Sequence, residues 1–159
     1  MSGRTVPKIF IDADGCPVKD EVYKVARRYG LDVALVANSW MRAPGDATIE
    51  TIVVEGKFDA ADDWIAEHAG ENDVVITADI PLASRCLKKG AMTLRPNGRE
   101  FTEENIGEAL ATRELMSTLR DLGEMTGGPP PFENRDRSRF LHRLDEIIKS
   151  IQRKQQRRT

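Results

Sequence analysis

Carboxylates stand where the apolar runs of this chain end. In KIFIDADGCPV, residues 8–18, Asp12 and Asp14 follow a short β-prone run. In DVVITADIPLA, residues 73–83, Asp79 follows the run that ends at Thr77. In DAADDWIAEHAG, residues 59–70, Asp62 and Asp63 sit near the start of a helical segment. Residues two apart in an extended chain point to the same side, so Asp12 and Asp14 converge if extension continues. Two carboxylates about 5 Å apart repel by about 3 kcal/mol at an effective dielectric near 20. Such a cluster either raises its pKa values or recruits a cation. Oxygen ligands without His or Cys select a hard cation, Mg²⁺ or Mn²⁺. That ion activates water and holds a phosphate, which is the chemistry of phosphodiester hydrolysis. On this reading Asp12 and Asp79 are catalytic. The metal ligands are drawn from Asp12, Asp14, Asp62, Asp63 and Asp79, with one of Asp62 and Asp63 facing the cleft.

The plainer alternative is helix capping. Asp14, ahead of Gly15, Cys16 and Pro17, suits an N-cap, as do Asp79 ahead of IPLA and Asp59. Capping leaves Asp12 unexplained, because Asp12 ends the strand itself. Around this cluster, Asn38, Thr77, Ser84 and Arg85 are candidate substrate contacts. Asn38 lines the cleft or ends its strand, and Arg85 binds phosphate or is an exposed helix arginine. Arg113, Arg120, Arg135, Arg137 and Arg139 either contact phosphates or pair with the acidic middle of the chain. Trp40 and Met41 stack a base or cover the core. Cys16 lies at a helix start that favours thiolates, but no His or Asn stands out as its base, so it reads as a small buried residue.

Positioning these groups requires strands that alternate with helices. KIFI, DVALVA, TIETIVVE, DVVIT and AMTLR read as strands, rich in β-branched residues. PVKDEVYKVARRYG reads as a helix with Pro17 at its first position and Gly30 as its stop. Residues 59–70 form a helix ended by Gly70, and residues 80–90 another ended by Gly90. This alternation predicts a three-layer α/β/α sandwich with a mostly parallel sheet over residues 8–95. PNG turns the chain. TEENIGEALATRELMSTLRDLG then reads as a long helix capped by Thr102, GEMTGGPPPF as a stiff loop or lid, and residues 135–151 as an amphipathic closing helix. Ligands of a parallel sheet sit outside the carboxyl ends of its strands, which is where Asp12 and Asp79 fall.

A chain of 159 residues suits one domain, with a core over 8–95, a C-terminal helical extension over 96–152 and a basic tail over 153–159. The 24 Lys and Arg against 26 Asp and Glu leave a net charge of −2, so bulk charge does not predict nucleic-acid binding. The tail, with Lys149, Arg153, Lys154, Arg157 and Arg158, reads as a solvated terminal helix or a polyanion contact. Cys16 and Cys86 are far apart, and His68 and His142 are isolated, which argues against zinc or a disulfide framework. No signal-peptide core or membrane-length run is present, so a cytoplasmic protein without membrane contact is expected. Oligomeric state stays open.

The motifs DADGCPVK, DAADDWI, DVVITADIPLA, KGA, GGPPPF and DRSRF, with NI at Asn105–Ile106 and LR at Leu119–Arg120, occur in this order. On them the chain resembles the YaiI/YqxD family of uncharacterised bacterial proteins across nearly its full length. Gly15 departs from the Ala expected there, and both residues are small. The family implies no activity, but it suggests kinship with PIN-like nuclease domains. Asp12 looks like their first acid, Asp62–Ile65 like their D-x-x-I helix segment, and Thr77, Asp79 and Leu82 like their T-x-D-x-x-L segment. In PIN domains such acids bind Mg²⁺ or Mn²⁺ and cut RNA. The resemblance therefore implies a PIN-like nuclease acting on RNA in preference to DNA. FIDADG also resembles the start of haloacid-dehalogenase-like phosphatases, with Asp12 as nucleophile, but AMTLRPNGREF lacks their later paired acids. A non-catalytic RNA-binding or regulatory module is the third expectation.

Overall fold

The computed structural model describes residues 6–56, 59–124 and 130–157. Strands β1 (Lys8–Asp12), β2 (Asp32–Ala37), β3 (Ile49–Val53), β4 (Val74–Ile76) and β5 (Met92–Leu94) run parallel. A short β6 (Glu100–Phe101) pairs antiparallel with β5. The sheet order is β3-β2-β1-β4-β5-β6. Helices α1 (Lys19–Tyr29), α2 (Ala60–His68), α3 (Ile80–Lys88), α4 (Glu103–Asp121) and α5 (Asn134–Arg157) complete the chain.

The layers follow from the twofold alternation of side chains along each strand. Ile9, Ile11, Val33, Leu35, Val74, Ile76 and Leu94 pack with Val22 and Val25 of α1 and with Phe140, Leu144, Ile147 and Ile148 of α5. Phe10, Ala34, Val36 and Val75 face Ala61 and Ile65 of α2 and Leu82 and Cys86 of α3. Ile9, Phe10 and Ile11 are fully buried, so β1 is covered on both faces, as a central parallel strand must be. Each such side chain contributes about 1.5–3 kcal/mol by leaving water. The expected α/β/α sandwich is therefore present, and α5 belongs to one of its outer layers. By contrast α4, capped by a reciprocal Thr102–Asn105 box, packs along α3 and buries none of its residues.

Several boundaries differ from the sequence reading. Pro17 lies in a turn before α1, whose N-cap is Val18. Gly30 does stop α1, in the left-handed conformation at φ 64°. Helix α2 ends at His68, ahead of Gly70. β6 was not expected, because two residues are too few to show alternation. α5 extends to Arg157, so Arg153, Lys154 and Arg157 are helical, while Arg158 and Thr159 lie outside the described residues. The centre of the GEMTGGPPPF segment, residues 125–129, also lies outside them.

Candidate active site

β1 and β4 are neighbours in the sheet, while β2 lies on the other side of β1. The chain therefore reverses its direction of winding between β1 and β4, the place where open parallel sheets form their ligand crevice. Asp12 ends β1 there. Thr77 follows β4 and is buried; its hydroxyl donates to Asp12 Oδ2 at 2.8 Å. The same Thr77 oxygen accepts the Asp79 N–H at 3.0 Å. Thr77 thus ties the ends of the two central strands together.

Asn38, just past β2, makes a second tie. Its main-chain N–H and its side-chain amide both donate to Asp14 Oδ2, each at 3.1 Å. Its side-chain carbonyl accepts the Ala61 N–H at 3.1 Å, which holds the first turn of α2 against the cleft. Asp62 is the next residue of that turn. Asp12, Asp14, Asn38, Asp62 and Asp79 all line one cavity of about 380 Å³, closed by Gly15, Cys16, Ala78 and Pro96.

Asp63 is not in that lining. It forms an ion pair with Arg85 of α3 at 2.7 Å. Adjacent helical residues are about 100° apart around the axis, so only one of the pair can face the cleft, and it is Asp62. Burial pushes the Asp12 carboxyl above the ordinary 3.8; Thr77 opposes the rise, and Asp79 and Asp14 add to it. Asp62 is pushed up to about 7, first by burial and then by Asp12, Asp79, Asp59 and Asp63. The two acids respond to desolvation and to each other's charge.

The expected metal set, Asp12, Asp14, Asp79 and one of Asp62 and Asp63, is not preassembled. Among the described residues no group of three or more His, Cys, Asp or Glu side chains is placed to hold a metal ion. Competing hydrogen bonds supply a physical reason. Asp79 Oδ1 accepts the Leu82 N–H at 2.8 Å and caps α3, Asp14 is engaged by Asn38, and Asp63 by Arg85. Asp14 does not cap α1, and Asp59, at the N-cap of α2, makes no side-chain capping bond. Apart from the buried Cys16, the donors of the cleft are the oxygens of Asp12, Asp14, Asn38, Asp62 and Asp79, a set that suits a hard cation. The two cleft carboxylates with raised pKa values, Asp12 and Asp62, are held in no ion pair among the described residues.

A profile described as uncharacterized BCR, YaiI/YqxD family, matches residues 10–150. The chain belongs to the YaiI/YqxD family. Similar curated proteins include a UPF0178 protein of Paramagnetospirillum magneticum, 60% identical over 146 residues that cover 92% of this chain and 97% of that one. A UPF0178 protein of Rhodopseudomonas palustris is 58% identical over 146 residues, covering 92% and 94%. One from Nitrobacter winogradskyi is 56% identical over 149 residues, covering 94% and 95%. No solved structure matches the chain.

The matched span takes in every carboxylate of the cleft, but not every expected substrate contact reaches it. Ser84 is half-buried on α3, and Arg113 and Arg120 are exposed on α4; none lines the cavity. Arg137 is engaged by Glu21 and by the Pro17 carbonyl. Trp40 is 78% exposed and covers no core, whereas Met41 packs against the α1–α5 layer. Cys16 is buried and its thiol pKa is raised by that burial, which fits a packing role. Sequence reasoning passed over Arg95, Asn97 and Arg99, which line a neighbouring cavity. The signal for them was RPNGR, two arginines flanking a turn beyond a strand's carboxyl end. No helix among the described residues is long and apolar enough to cross a membrane.

Proposed function

We propose that the acidic cleft hydrolyses phosphodiester bonds of nucleic acid, RNA in preference to DNA, with Mg²⁺ or Mn²⁺. The observation that carries this reading is the pairing of Asp12 with Asp62 at the winding reversal, both with raised pKa values and neither in an ion pair among the described residues. The likeness of Asp12, Asp62 and Asp79 to the acids of PIN-like nuclease domains points the same way.

Asp12 and Asp62 would hold the cation, with Asp14 and Asp79 in the same cavity wall. When bound, a divalent ion supplies charge neutralisation at phosphate and lowers the pKa of water. The chain's own residues do the rest. Thr77 fixes Asp12 by donating to Oδ2, which leaves Oδ1 for the cleft. Asn38 keeps the α2 turn, and so Asp62, beside the β1 end. Without a cation the Asp62 carboxyl is pushed up to about 7, and a bound divalent ion would favour its ionised form, so cation binding would be coupled to release of a proton near neutral pH. The dehalogenase-type alternative has less support, because its general acid, Asp14, already accepts two hydrogen bonds from Asn38.

The test is cleavage of a labelled single-stranded RNA with Mn²⁺, compared between the wild type and Asp12→Asn and Asp62→Asn. Each variant is expected to lose activity by about a hundredfold or more, the scale of removing one group that acts on charge in the transition state. Cleavage that survives Asp12→Asn undiminished would refute the assignment.

A further inference from the structure

The carboxylate cleft has a basic neighbour. A second cavity, about 630 Å³, opens beside it and shares Gly15, Ala78 and Pro96 with its wall. Four arginines line it: Arg95 and Arg99 from the turn between β5 and β6, and Arg135 and Arg139 from the start of α5. Its two carboxylates are already matched. Glu133 pairs with Arg135 at 2.8 Å, and Asp136 with Arg139 at 3.3 Å. Arg95 and Arg99 have no carboxylate partner among the described residues. Burial lowers the Arg95 pKa and the neighbouring Arg99 charge lowers it further, which marks a desolvated cation without a counter-charge.

The turn that presents these two arginines is tightly built. The Arg95 N–H donates to the Arg99 carbonyl at 2.9 Å. Gly98 has φ +87°, and a Cβ there would lie 2.6 Å from the Phe140 nitrogen, so the turn sits directly on the α5 backbone. The Arg95 guanidinium lies over the Phe101 ring at 4.2 Å, a contact that uses none of its N–H donors. Those donors suit a phosphate, which arginine binds through parallel hydrogen bonds. Apart from Asn97, the rest of the wall is apolar, with Pro130, Pro131 and Phe132 prominent, and Arg137 lies over the Phe132 ring at 5.1 Å. Unmatched arginines and an apolar proline and phenylalanine surface in one cavity, in a volume typical of small-ligand sites, match a phosphate joined to a base.

We infer that this cavity is a nucleotide subsite, in which Arg95 and Arg99 hold a phosphate and the proline and phenylalanine wall receives a base. The inference rests on the phosphodiesterase reading of the adjoining cleft, and it defines the substrate as a strand lying across both cavities. The scissile phosphate then sits at the carboxylates and a neighbouring nucleotide at the arginines.

The test is calorimetric titration of the full chain with AMP, adenosine and inorganic phosphate, in EDTA so that no divalent cation contributes. AMP is expected to bind at least tenfold more tightly than adenosine and than inorganic phosphate. Arg95→Gln with Arg99→Gln is expected to weaken AMP at least tenfold, and Asp12→Asn to leave it within twofold. Arg99 is exposed, so R99Q alone serves if the double variant does not fold, with a loss of threefold or more. Equal binding of AMP and adenosine, inorganic phosphate binding as tightly as AMP, or AMP affinity unchanged by R99Q would each overturn the subsite. RNA cleavage with an unaltered KM in R95Q/R99Q would also overturn it, leaving the phosphodiesterase reading in place. AMP binding lost in R95Q/R99Q, with no cleavage by the wild type, would sink that reading and support the subsite.

Discussion

Replacing Asp62 by Asn should stabilise the protein above neutral pH and leave it nearly unchanged in acid. The Asp62 pKa rises from 3.8 to about 7, chiefly by burial and then by the charges of Asp12 and Asp79. A carboxyl with a raised folded-state pKa favours the fold while it stays protonated. Below about pH 3.8 it is protonated in both states and contributes no penalty. Between 3.8 and 7 the unfolded chain releases the proton while the folded chain retains it, so stability falls as pH rises; above 7 the loss is complete. A pKa difference of this size corresponds to roughly 4 kcal/mol at full value. The carboxyl lines the cleft and is only partly buried, and solvent screening reduces this to about 1–2 kcal/mol. For a chain of this length that is about 3–6 °C in Tm. The assay is thermal unfolding of wild type and Asp62→Asn at pH 4.5 and pH 8 in EDTA, read as the difference between proteins at each pH. That difference cancels the titration of other groups. The variant should gain at pH 8 and gain much less at pH 4.5. Adding Mn²⁺ at pH 8 should then raise the wild-type Tm more than that of the variant, because a ligand stabilises in proportion to its binding to the folded state. A Tm for D62N at or below wild type at both pH values would refute the claim of an unpaired charge, and with it the electrostatic support for a cation there.

Two further outcomes follow from the same contacts. Thr77→Val removes the donor to Asp12 and the acceptor for the Asp79 N–H while conserving shape, and should cost about 1–3 kcal/mol in urea unfolding. The loss should be larger at pH 8 than at pH 4.5, since the missing bond favoured the charged form of Asp12; an equal loss at both would count against that role. Gly98→Ala places a methyl group 2.6 Å from the Phe140 nitrogen at a positive φ, so it should destabilise by about 2–4 kcal/mol in the same assay, and wild-type stability would contradict the packing of the turn on α5.

Much of the architecture was legible because it is local. Apolar, β-branched runs alternating with amphipathic segments dictate strands and helices in turn, and Asp32–Ala37 was bounded to the residue. Gly30 announced the end of α1 because it alone takes a left-handed φ there without strain. Thr102 announced the start of α4 through its capping chemistry. Asp12 and Asp79 stood out because a charge at the end of a buried strand costs free energy unless a partner, a cation or solvent meets it. Pro17 misled, since a proline suited to a first helical turn is equally suited to the turn before it.

The remainder depends on contacts between residues distant in the chain. Nothing local selects Asp62 over Asp63; the choice comes from which face of α2 lies against the sheet and from Arg85, 22 residues away, which holds Asp63. Nor does spacing reveal that Asp79 bonds its own helix and Asp14 bonds Asn38, the commitments that keep the acids from forming a ready-made metal centre. Arg95 and Arg99 become neighbours of Arg135 and Arg139 only because α5 returns across the sheet and seats on the Gly98 turn. By itself the sequence determined the succession of elements and the acids at their ends, because those follow from periodicity and capping within a few residues. The order β3-β2-β1-β4-β5-β6, and the placing of an acidic cleft beside an arginine-lined cavity, were decided by tertiary structure, because strand neighbours and helix faces are chosen by burial summed over the whole chain.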